Sequence, residues 1–159
     1  MKKLLILLVL LFAVPMFAAC GASESYYRDQ YVRAQLENFV FHTDFNYVWK
    51  EARTMLFQYG YQIHGGANDH IMETEWRQTD SGTFRRYMVS GYEYNDGTNT
   101  VHFDYYEETQ MSPDVLPHAT AARDYSLEFE LIRRVESQNY TAINNAASQY
   151  AKQRVAEKK

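Results

Sequence analysis

The sequence predicts an α+β domain, an antiparallel sheet of about four to five strands with two helices packed on one face. Three observations point there. An apolar stripe at helical spacing runs through residues 44–60, with apolar side chains returning every third, fourth or seventh position. Short alternating runs separated by Gly, Asn and Asp fill residues 61–106. A second, longer helical stripe closes the chain after a stretch containing two prolines. Helices gathered on one face of an antiparallel sheet accommodate that order of elements.

Residues 1–19 are set apart from the fold. Lys2 and Lys3 precede an uncharged apolar run over residues 4–14, Pro15 interrupts it, and small residues follow in Phe17-Ala18-Ala19-Cys20. That is the three-part plan of an export signal. The apolar run is far shorter than the ~20 residues that cross a bilayer as a helix. Cys20 is the only cysteine. It could be a small buried residue or half of an intermolecular disulfide. Its place after two alanines at the end of an apolar core instead matches a bacterial lipobox, with Phe17 standing where Leu, Val or Ile is usual. Cys20 is therefore the expected lipid-attachment site, with secretion by general signal cleavage as the alternative. Each buried CH₂ of an acyl chain contributes about 0.8 kcal/mol, so several chains would hold the domain at a membrane. Gly21 rather than Asp after Cys20 points to the outer membrane, facing the periplasm, rather than the inner membrane.

Cleavage before Cys20 leaves 140 residues and takes the formal net charge from −4 to −6, because two lysines and no acid are lost. No nucleic-acid partner is expected, since phosphate binding needs clustered Lys and Arg. The expected organisation is a signal at 1–19, a lipidated tether and N-terminal segment at 20–38, and a single α+β domain at 39–156.

Element by element, residues 21–25 read as a polar tether. Residues 26–41 are ambiguous: Tyr27, Tyr31 and Ala34 make a weak helical stripe, and Phe39-Val40-Phe41 looks like a short strand. Thr43 or Asp44 can cap a helix that buries Phe45, Val48, Trp49, Ala52, Leu56 and Tyr59 and ends at Gly60. Tyr61-Gln62-Ile63-His64 makes a short strand running into a turn at 65–69. Residues 71–78 read as one strand with Met72, Thr74 and Trp76 on one face and Glu73, Glu75 and Arg77 on the other. After a turn at 80–82, residues 84–94 form a longer strand, and Asn95-Asp96-Gly97 turns into the next. There Val101, Phe103 and Tyr105 alternate with His102, Asp104 and Tyr106. Residues 110–122 read as a loop. Residues 124–156 read as one long helix with Tyr125, Phe129, Ile132, Val135 and Ile143 on its apolar face, fraying beyond Ala146.

This order, together with certain residues, resembles the helix-grip domains of the BamC family, lipoproteins of the outer-membrane β-barrel assembly machinery. The similar features are the aromatic-rich helix of 44–60 followed by Tyr61-Gln62-Ile63, the Met72-Glu73-Thr74-Glu75-Trp76 strand, Arg85-Arg86-Tyr87-Met88-Val89, and residues 121–134 leading into the closing helix. Together they span roughly residues 39–137. The resemblance implies a tethered binding or scaffold module of the cell envelope and offers no catalytic residue. The family carries two such domains after a long unstructured segment, whereas this chain has room for one and a short tether.

Catalytic patterns are missing from the sequence. His42, His64, His70, His102 and His118 show no HExxH or CxxC context, so no metal and no cofactor are expected. Ser90-Gly91 lacks the preceding glycine of a nucleophile elbow. Glu73 with Glu75, and Glu107 with Glu108, suit a solvated strand face as readily as a glycosidase cleft. Gly65-Gly66 lacks the lysine of a phosphate loop. The expectation is a non-enzyme. Fourteen tyrosines and nine phenylalanines are the remaining anomaly. Ordinary sheet pairing accounts for many of them. Tyr92, Tyr94 and Tyr106 are candidates for a contact surface on the helix-free face, where a ring and a hydroxyl suit protein or glycan. The leading expectation is thus an envelope lipoprotein that binds a protein partner. The alternative is a small-ligand or lipid-binding lipoprotein with a pocket between the long helix and the sheet.

Overall fold

The computed structural model describes residues 23–65, 70–80, 82–109 and 118–158. The export signal, Cys20, most of the turn after β1 and residues 110–117 of the expected loop lie outside them. Among the described residues the order is α1 (Glu24–Leu36), α2 (Phe45–Gln58), β1 (Ile63–Gly65), β2 (Ile71–Thr74), β3 (Arg77–Asp80), β4 (Thr83–Glu93), β5 (Asn99–Thr109), β6 (His118–Arg123), α3 (Tyr125–Val135) and α4 (Ser137–Ala156). Every strand pairing is antiparallel, in the order β1-β2-β4-β5-β6, with β3 also pairing with β4. The chain is therefore α+β, an open antiparallel sheet with helices packed on it. Six strands and four helices are described where four to five and two were expected. The additions arise where a predicted element breaks in two or a segment of weak local signal finds a partner.

Helix α2 forms as its sequence requires. Asp44 caps it, its side chain accepting from the Tyr47 N–H at 3.1 Å, and Gly60 adopts the left-handed φ of 78° that closes it. Phe45, Val48, Ala52 and Leu56 are buried, Met55 joins them, and Tyr59 is exposed instead. Its N-terminal end lies close on the sheet at Gly91. A Cβ there would sit 2.7 Å from the Phe45 ring, so only glycine lets the helix approach.

Helix α1 lies within the segment expected as tether and N-terminal segment, so packed structure begins ahead of residue 39. Ser23 caps it, and Tyr27, Val32 and Leu36 are buried. Its partner is α4, which stays helical past Ala146 because Ala147 and Ala151 are fully buried. These small side chains, four residues apart on one face, allow close approach, and Tyr31 packs against Tyr150 at 5.4 Å. Phe39-Val40-Phe41 makes only an isolated bridge, Phe41 to Asn99, rather than a strand.

The closing helix is two helices. The break falls at Glu136, whose φ of −130° and ψ of 64° are not helical. Its carboxylate accepts from the backbone N–H groups of His42 and Thr43 at 2.6 and 3.1 Å, tying the entry of α2 to the α3–α4 corner. α3 contributes Leu131 and Ile132 to the core beneath α2, where Val48, Leu56, Val89 and Phe103 are also fully buried. Each such side chain contributes about 2 kcal/mol. Residues 118–122, expected as loop, form β6 together with Arg123. Its alanines have little strand preference, and it forms because β5 offers an open edge, from Thr109↔His118 to Asp104↔Arg123.

The strand expected over 71–78 also breaks in two. β2 pairs with β4 as far as Glu73↔Met88, and β3 resumes at Arg77↔Arg85. Four residue steps on one strand therefore oppose three on the other, which is a β-bulge. A shift of one residue exchanges faces. Met72 and Thr74 face the core as expected, but Trp76 turns to the opposite face and is 42% exposed. The Thr74 hydroxyl accepts from the Tyr87 N–H at 2.9 Å, satisfying a ladder donor at the bulge.

Candidate contact surface

The helices pack on the face of β4 and β5 that carries Tyr87, Val89, Phe103 and Tyr105. Alternation sends Arg86, Met88, Ser90 and Tyr92 of β4, and His102, Asp104 and Tyr106 of β5, to the other face. The expected opposition of Tyr105 and Tyr106 is present: Tyr105 packs against the core and Tyr106 lies on the helix-free side.

The three candidate tyrosines fall into two groups on this face. Tyr92 and Tyr94 meet edge to face with ring centroids 4.7 Å apart and are 60% and 42% exposed. Tyr106 stands opposite Arg86 in the register, six residues along β4 from Tyr92, which is about 20 Å in a strand. It joins a cluster that the sequence reading missed. The Arg86 guanidinium lies 5.1 Å from the Trp76 ring and 5.2 Å from the Tyr106 ring. Each such contact contributes about 0.5–1 kcal/mol when exposed and about 2 when desolvated. Arg86 Nη1 is 3.9 Å from the Glu73 carboxylate, and its Nε is buried without a hydrogen bond among the described residues. The bulge creates this cluster by placing Trp76 across from Arg86. No periodicity reveals it, because the inserted residue is visible only once β4 is paired on both sides of it.

The other candidate groups are dispersed. His70 stacks on Phe45 at 5.0 Å, His64 lies 3.8 Å from Glu75, and His102 lies 3.5 Å from Glu128. Glu73 and Glu107 each face an arginine. Among the described residues no three His, Cys, Asp or Glu side chains gather as a metal site. No described helix is long and apolar enough to cross a membrane. Burial and a hydrogen bond to Asp124 at 2.8 Å push the Tyr87 hydroxyl well above the usual tyrosine range, which makes it a structural donor. No protein-family model matches the chain, and no curated protein matches it significantly.

Proposed function

We propose that the chain is an envelope lipoprotein, anchored through lipid on Cys20, whose domain is a non-catalytic protein-binding or scaffold module. A role in outer-membrane protein assembly or maintenance fits the resemblance to the BamC family. The anchor is supported by Phe17-Ala18-Ala19-Cys20 following an uncharged apolar run. The binding role is carried by the Trp76–Arg86–Tyr106 cluster on the helix-free face. Trp, Arg and Tyr are the side chains that most often dominate interface energetics. The partner is another envelope protein presenting an apolar patch with a carboxylate, which Arg86 receives between the two rings.

Capture of partners from detergent-extracted envelopes tests this with the wild type, Trp76→Ala and Tyr47→Ala, the last being an exposed site on α2. A partner held by the wild type and Tyr47→Ala but lost with Trp76→Ala supports the reading. Consistent recovery of no envelope protein, or capture indifferent to Trp76, overturns it. Intact mass tests the anchor separately: acyl mass on a chain beginning at Cys20 should vanish in Cys20→Ser. The alternative, an apolar-ligand pocket between the closing helix and the sheet, has less support, because Val89, Phe103, Leu131 and Ile132 fill the interior of that layer and the hollow at its edge is lined by four arginines.

A further inference from the structure

A half-open cavity of about 430 Å³ lies between α1, the sheet and the first turn of α3, on the helix side of the molecule. Four arginines line it: Arg28 and Arg33 from α1, Arg85 from β4 and Arg123 from the end of β6. A second hollow of about 330 Å³ continues past Arg85 and Asp124 to Arg77. Arginines gathered this closely repel one another unless something offsets their charge. The protein supplies that offset. Glu107 accepts from Nε and Nη2 of Arg85 at 3.1 and 2.6 Å. Glu128 accepts from Nε and Nη2 of Arg123 at 2.8 and 2.7 Å.

Asp29 and Asp124 also line the cavity and bring the carboxylates to four against four arginines, so charge is balanced and free hydrogen-bond acceptors are what the cavity lacks. Asp124 is already engaged: Oδ1 caps the Ser126 and Leu127 N–H groups, and Oδ2 accepts from Tyr87. Asp29 is exposed and lies 3.8 Å from Arg28. Arg33 makes no ion pair among the described residues; its guanidinium sits 5.6 Å from the centroid of the Tyr125 ring. Arg123 approaches the same ring at 4.9 Å, so Tyr125 holds both groups at the cavity. The Tyr125 hydroxyl is spent on Glu37 at 2.7 Å, which fixes the ring. The cavity thus has more guanidinium N–H groups than acceptors: Arg28 donates Nη2 to Asn144 at 2.7 Å, and Arg33 keeps its fork. Val32, Tyr105 and Phe129 add apolar wall beside them.

We propose that this cavity binds the phosphate group of a small amphiphile, with Arg33, Arg85 and Arg123 around the phosphate and the apolar body against Val32, Tyr105 and Phe129. The planar fork of Arg33 matches two phosphate oxygens, Nη1 of Arg85 and of Arg123 is left over from their carboxylate pairs, and the volume falls in the range of small-ligand pockets. The ligand is either a soluble phosphate compound or a phospholipid headgroup. The site stands apart from the helix-free face, so its failure and that of the partner reading are separable.

Calorimetric titration of the detergent-solubilised full chain, at constant ionic strength, uses two probes: inorganic phosphate and dihexanoyl phosphatidylglycerol. Arg33→Gln is the test variant, and Arg53→Gln, an exposed arginine stacked on Phe57 of α2, is the control. Saturable phosphate binding that Arg33→Gln weakens about tenfold, the worth of one charge-assisted hydrogen bond, supports the site. Tighter binding of the lipid probe, displaced by phosphate and equally dependent on Arg33, supports it with a headgroup as the source. Saturable binding of neither probe, or equal binding by Arg33→Gln and Arg53→Gln, overturns it.

Discussion

The Glu128 carboxylate accepts a hydrogen bond from the Phe103 backbone N–H at 3.1 Å, taking the place of a neighbouring strand where β6 has already ended. The Asp124 N–H donates to the Phe103 carbonyl at 2.7 Å, and Phe41 bridges Asn99 further along the same edge. The turn into α3 thereby seals β5 where an open ladder would invite pairing with another chain. Glu128 also holds Arg123, which in turn donates to the Leu36 carbonyl at 2.9 Å at the end of α1.

Removing one partner of such a pair strands the other. Glu128→Ala should cost about 3–5 kcal/mol, since it leaves Arg123 unpaired and the Phe103 N–H unsatisfied. Urea denaturation measures it. The double variant Glu128→Leu with Arg123→Met should cost less than the two single changes added together. Full additivity would show that the two residues act separately.

Gly91→Ala should destabilise by about 1–3 kcal/mol, because the new methyl meets the Phe45 ring and overpacks the contact. Phe45 cannot swing aside freely, being stacked against Trp49 and His70 at 5.6 and 5.0 Å. A melting temperature equal to that of the wild type would mean that α2 can shift outward without loss.

The β-bulge between β2 and β3 depends on residue count more than on chemistry. Glu75→Ala keeps the count and should stay within about 0.5 kcal/mol of the wild type, as exposed substitutions do. Inserting one alanine after Glu75 makes five residue steps oppose three, which turns Trp76 to the face of Arg85 or breaks the pairing of β3, and should lower the melting temperature distinctly further. Equal melting temperatures for the two variants would remove the bulge as the reason for the position of Trp76.

Acid should expose one electrostatic contribution. Arg133 first, and Arg134 with it, hold the Glu130 carboxyl down at about 2, through hydrogen bonds of 2.6 and 2.9 Å. A carboxyl depressed in the folded state stabilises above its unfolded pKa and loses that contribution as pH falls through the folded value. The stability difference between wild type and Glu130→Gln should therefore be constant above about pH 5 and shrink towards pH 2. It should be small, about 1 kcal/mol or less, because Arg133 is largely exposed. Chemical denaturation across that range reads it, and a difference independent of pH would contradict the pairing.

What could be read from the chain alone was what short-range chemistry dictates. Asp44, the apolar period and Gly60 are all local, and α2 follows from them. Two-residue alternation placed Val101, Phe103 and Tyr105 inward and Tyr106 outward, and it left Tyr92 and Tyr94 at an exposed strand end. The remainder depended on contacts between distant segments. α1 and α4 each bury little, and they pack because Tyr31 and Tyr150, Arg28 and Asn144 meet across the chain. β6 is held by the edge of β5, and the closing helix bends where Glu136 is drawn to His42 and Thr43. Trp76 reaches Arg86 and Tyr106 only because one extra residue slips the register. Periodicity is a property of neighbours along the chain, whereas register and partnership are settled by the free energy of pairs that folding alone brings together.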